Sequence, residues 1–211
     1  IVINSGTSLV IEGNFTNLQD GSIDNSGKIL INGNWYNNQS SGALLQGTSG
    51  DVICNGSVPQ VIGGSANTHF NNLDLQNDVN MGYSFFVYGK LFFNNTFITL
   101  GNNILQMVSG SLIVGANNNG YVVTNNIGNL RQYVNAADIT FPIGTASAFA
   151  PITLNNSGGS ADYYGARAFG DVLTNGTSGS TIASIADCVD MTWVLNENTG
   201  GGSDLDITTF W

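Results

Sequence analysis

Short apolar runs bounded by Asn, Gly and Ser recur along the chain, and the first two are near copies. Asn4-Ser5-Gly6 precedes Leu9-Val10-Ile11 and then Gly13-Asn14-Phe15, while Asn25-Ser26-Gly27 precedes Ile29-Leu30-Ile31 and then Gly33-Asn34-Trp35. Looser echoes follow in Val52-Ile53-Cys54-Asn55-Gly56, Phe70-Asn71-Asn72-Leu73-Asp74-Leu75, Val87-Tyr88-Gly89-Lys90-Leu91-Phe92-Phe93 and Ser111-Leu112-Ile113-Val114-Gly115. Runs of this length, rich in Val, Ile, Leu and Phe and closed by turn residues, are strand signals. No helical period persists, because Gly or Asn interrupts every stretch. The pattern predicts an all-β chain.

A hairpin-built sandwich and a parallel β-solenoid both use such strands. Recurrence at about 20 residues, with the same turn residues at equivalent places, predicts the β-solenoid over residues 1–135. One coil cannot bury its own apolar face, so the sequence is written again to make the next. Stacking also lets Asn side chains form ladders along the axis, which satisfies amides that are costly to bury alone. Phe15 and Trp35 occupy equivalent places and are expected inside. Tyr36, one residue on, then points outward by itself.

The wording changes near Asn135. Ile139–Gly144 reads as a strand ending in a turn at Pro142, and Ala150–Leu154 as a strand opening at Pro151. Ala161–Phe169, Met191–Leu195 and Leu205–Trp211 supply three more, with Gly200-Gly201-Gly202-Ser203 as the hairpin loop joining the last two. Strands without the 20-residue echo predict a β-sandwich-like domain over 136–211. The chain opens inside Ile1-Val2-Ile3 and stops at Trp211, and both ends read as cut from a longer polypeptide, the last sheet being short of strands.

Composition narrows the function. Charged residues are 9% of the chain, and about 30 Asn with 28 Gly supply polarity by hydrogen bonding instead. The net charge is −10, and Lys28, Lys90, Arg131 and Arg167 are widely spaced, with no basic patch for phosphate. Nucleic acid is therefore excluded as a partner, and no apolar run reaches the roughly 20 residues of a membrane span. Cys54 and Cys188 lie in different halves and read as two buried thiols; whether they pair is left open.

Catalytic chemistry finds few candidates. Glu12 and Glu197 are the only glutamates and are far apart. Asp20 with Asp24, Asp74 with Asp78, and Asp187 with Asp190 sit beside turns, where Asp caps backbone. His69 is the sole histidine, with no Cys or His at ligand spacing, and reads as a strand-face residue. Calcium is the one cofactor considered, through Asp204-Leu205-Asp206 or Asp187 to Asp190, although neither completes a calcium loop. Asn14, Asn38, Asn55, Asn94, Asn155 and Asn175 open Asn-X-Ser/Thr sequons, as several must in so Asn-rich a chain. No catalytic, cofactor-binding or metal residue is assigned, and no enzyme activity is expected.

The stretches FPIGTASAFAPITLNNSGG (141–159), MTWVLNENTGGGSDLDITTFW (191–211) and GDVICNGSVPQVIGGSANTHFNNLDLQN (50–77) resemble regions of large Bacteroidetes proteins secreted by the type IX system. The resemblance covers most of the chain and implies a secreted or cell-surface, adhesin-like protein, with the secretion machinery as partner during export. It carries over no catalytic residue, and the sorting domain that usually ends such cargo is not in this chain. A non-catalytic adhesin-like or structural segment is the leading expectation. A carbohydrate-binding or polysaccharide-degrading β-helix module is the alternative, and a self-associating filament subunit a third.

Overall fold

In a computed structural model, residues 1–18, 21–39, 45–46, 49–182 and 189–210 are described. The described residues are strands and turns, without a helix. They wind as a parallel β-solenoid of about six turns with three short strands per turn. The first turn is Val2–Ile3, Ser8–Ile11 and Phe15–Leu18; the second is Ile23–Asn25, Lys28–Ile31 and Trp35–Asn38. The fourth and fifth are Thr68–Phe70, Asn72–Leu75 and Val79–Met81, then Phe85–Val87, Lys90–Phe93 and Ile98–Thr99.

Stacking the turns makes three sides. The first side starts as a three-stranded sheet, Val2–Ile3 to Leu45–Gln46, and resumes as a six-stranded sheet from Thr68–Phe70. The second is six parallel strands from Ser8–Ile11 to Leu112–Val114. The third is seven parallel strands from Phe15–Leu18 to Ile143–Gly144.

Register explains the repeated sequence. Leu9 pairs with Ile29 and Phe15 with Trp35. A Cβ on Gly33 would overlap the backbone of Gly13 in the coil below, so the repeated Gly marks a close approach between coils. Asn14 Oδ1 accepts the Asn34 N–H at 2.8 Å, and Asn34 Oδ1 accepts the Val61 N–H at 2.8 Å. The aromatic residue that follows stacks inside: the Phe15 and Trp35 ring centroids are 4.4 Å apart. Gly-Asn-aromatic thus encodes a backbone contact, a ladder rung and a core residue in three consecutive positions.

The interior is columns of like residues. On the second side Ile31, Cys54, Leu75 and Phe93 stand in register and are all buried. On the third, Trp35, Ile62 and Met81 do the same. Each fully buried side chain of this size contributes about 1.5–3 kcal/mol. Buried amides line one corner: Asn17 Nδ2 donates to Asn37 Oδ1 at 3.4 Å, and Asn37 Nδ2 donates to the Asn67 carbonyl at 2.8 Å. The expected Asn ladder is present.

Two sequence runs are not single strands. Phe70 ends a strand on the first side, Asn71 turns the corner, and Asn72–Leu75 begins the second side. Val87 and Lys90–Phe93 are divided in the same way. These corners are so short that apolar residues on both arms read as one run.

Past the sixth turn, Asn129–Val134 adds a last parallel strand to the first side. Asp162–Phe169 and Thr192–Glu197 then join the same sheet antiparallel. Ile139–Phe141, Ile152–Asn155 and Asp206–Thr209 form a small antiparallel sheet. Pro142 does not close a turn. It separates Ile139–Phe141 from Ile143–Gly144, which returns to the third side beside Val122–Val123, and its carbonyl accepts the Val122 N–H at 3.0 Å. Nor is Gly200–Ser203 a hairpin loop, since the strands before and after it belong to different sheets.

Candidate functional site

The acidic pairs do not converge. Asp74 points outward on the second side and accepts from Asn94 Nδ2 at 2.7 Å, while Asp78 sits at a corner and accepts the Phe97 N–H at 2.8 Å. Asp24 is exposed on the first side; Asp190 is exposed near the chain's end. Asp20, Asp187, Cys188 and Trp211 lie outside the described residues. Glu12 belongs to the first turn, where Asn32 Nδ2 donates to it at 2.6 Å. Glu197 organises the loop after it, accepting the Gly201 N–H at 3.0 Å and the Ser203 hydroxyl. Both glutamates hold local structure.

For calcium, the Asp204 N–H is bound by Asn156 Oδ1 at 2.9 Å, and Asp206 lies in a strand beside Asn155. Among the described residues no three His, Cys, Asp or Glu side chains cluster as a metal site.

Cys54 is a free thiol in the aliphatic column of the second side. Burial, helped by the negative charge of Asp74, pushes it up from 9.0 to about 12. The folded thiol therefore stays protonated where an unfolded one ionises, so stability falls as pH rises from 9 towards 12. Alkaline urea titrations should show wild type losing on the order of 1 kcal/mol per pH unit more than Cys54→Val across that window. Parallel curves for the two proteins would show that Cys54 titrates normally.

The aromatic positions fall as the period predicts. Trp35 is inside, and Tyr36 is half-buried on the outside of the third side. The richer outer surface is elsewhere. On the first side the outward positions in register are His69, Phe86, Gln106 and Arg131. His69 lies 4.8 Å from Phe86, edge to face, and 5.6 Å from Tyr88. Burial lowers the His69 pKa, which keeps the ring neutral at pH 7. Tyr133 and Tyr163 pair across the parallel-to-antiparallel junction at 5.2 Å.

Both arginines share this surface, on neighbouring strands. Arg131 stands opposite Gly165, and Arg167 is two residues further along that strand, with its guanidinium 5.2 Å from the Phe169 ring. Arg131 donates to Asn198 Oδ1 and Arg167 to the Asn126 carbonyl, each at 3.3 Å. Among the described residues neither guanidinium has a carboxylate partner. Wide sequence spacing had kept the four cations apart; folding brings these two together. Alternation could have marked Phe86 as outward, but Phe85-Phe86-Val87 is apolar throughout and hides it.

Comparisons with protein-family profiles, with curated proteins and with solved structures find no match to this chain.

Proposed function

We propose that this chain is a non-catalytic structural segment of a secreted, cell-surface, adhesin-like protein exported as type IX secretion cargo. In this reading the antiparallel C-terminal strands form a β-sandwich-like cap on the solenoid. The observation that supports it is the unbroken parallel register of the second side, from Ser8–Ile11 to Leu112–Val114. On this side every coil is bonded to the next, which makes a stiff spacer whose stability is largely a sum of contacts between adjacent coils. An amide-rich exterior stays hydrated with little charge, so its solvation is insensitive to salt.

Protease added to intact cells of the source organism is expected to remove an epitope on this chain. Disabling type IX export should leave the epitope inside. An epitope protected until the cells are lysed would overturn the surface placement.

A further inference from the structure

We propose that the outer face of the first side, from His69 to Arg167, binds an anionic polysaccharide bearing carboxylates, such as a polyuronate. This names the ligand class for the adhesin-like reading and rests on it. Three observations converge there.

The first is the rings. His69, Phe86 and Tyr88 form one contiguous aromatic group, with centroid separations of 4.8 and 5.6 Å from His69. Tyr88 is 48% exposed and Tyr83 37%, which leaves ring surface open for the apolar face of a sugar. The second is charge. The chain carries 14 acidic residues against four basic ones, yet both of its arginines are on this face. Each is half-buried, tethered by a single neutral acceptor, and without a carboxylate partner among the described residues. A planar guanidinium held in this way is prepared to take a carboxylate by two parallel hydrogen bonds.

The third is spacing. Asn67, Tyr83, Phe86, Ile104, Gln106 and Arg131 line a shallow pocket between the ring group and the first guanidinium. Strands in register repeat every ~4.8 Å, close to the length of one sugar ring, so an extended chain crossing the strands meets a new outward side chain at each unit. Aromatic, amide and guanidinium then follow one another in the order Phe86, Gln106, Arg131. Gly165 stands opposite Arg131, and the amide of Asn129 packs over it, which puts a further amide beside the guanidinium.

Affinity electrophoresis through gels containing polygalacturonate tests the assignment, with fully methyl-esterified polymer as the neutral control. Polygalacturonate is expected to retard the protein and the ester not to. Arg131→Gln with Arg167→Gln should weaken binding about tenfold or more, and Tyr88→Ala, at an exposed ring, should weaken it with no change in melting temperature. Lys28→Gln with Lys90→Gln, on the second side, should bind as wild type. Equal retardation by the ester, unchanged binding of both the double-arginine and Tyr88 variants, or tighter binding of single-stranded poly(dT) would overturn the proposal. Cleavage of polygalacturonate would overturn the non-catalytic reading while supporting this face as the binding site; failure to bind would remove the face and leave the scaffold reading standing.

Discussion

Trp35→Ala is expected to lower the unfolding free energy by about 3–5 kcal/mol, as large-to-small changes at a buried tryptophan do. Trp35 is 1% exposed and joins three coils. Its ring lies 4.4 Å from Phe15 in the coil before and 5.6 Å from Phe70, which meets Phe85 edge to face at 5.4 Å. Its indole N–H donates to Thr68 Oγ1 at 3.1 Å inside the core. Truncation therefore opens a cavity in a continuous aromatic stack and strands a buried hydroxyl. Urea unfolding followed by tryptophan-independent circular dichroism would measure the loss. Because the contacts of Trp35 run from the first turn to the start of the fourth, the damage should stay in the early coils. Hydrogen exchange should rise in Lys28–Ile31 and Gln60–Gly64 and stay slow in Asp162–Phe169. A loss below about 1 kcal/mol would mean that the aromatic column is not what holds the early coils.

The same column shows what the sequence made legible. Phe15 and Trp35 are equivalent in the repeat, pair in register and share the interior, because the first two coils have the same length. That equality exposes the period. Later coils differ: hydrogen bonds between neighbouring coils span 18 residues from Lys90 to Asn72, but 27 from Val61 to Asn34. The period blurs, although the physical device persists. The first strand of the second and third turns was also hidden. Ile23–Asn25 and Leu45–Gln46 are too short to show alternation.

The candidate binding face depends on those variable lengths. Which residue of one coil stands over which of the next is set by every insertion between them, so the line from His69 through Phe86 and Gln106 to Arg131 has no constant spacing to find. Arg131 and Arg167 meet through an antiparallel pairing that the solenoid period does not describe. Corner chemistry was more visible. Asn and Gly were read as ladder and corner residues, and Asn37 does both jobs: its side chain bridges Asn17 and Asn67, while its carbonyl accepts the Ser65 and Ala66 N–H groups at 2.9 and 3.1 Å.

That carbonyl makes Gly64→Ala the second large effect, with an expected loss of about 4 kcal/mol or more from backbone strain and overpacking together. Gly64 ends its strand opposite Asn37 with φ at +123°, a conformation that side chains rarely adopt. A Cβ there would overlap the Asn37 carbonyl oxygen, which is backbone and cannot rotate away. Relief would have to move Asn37 and so break the amide ladder on both sides of it. Gly6→Ala separates the two causes, because Gly6 has φ at +78° but open space around its missing Cβ. Strain alone should cost that variant about 1 kcal/mol. Urea midpoints measured side by side decide the matter: a loss at Gly64 several times that at Gly6 assigns the difference to the contact between coils. Equal losses would mean that the corner yields, and that stacking of these turns is looser than the register of Asn37 on Gly64 implies.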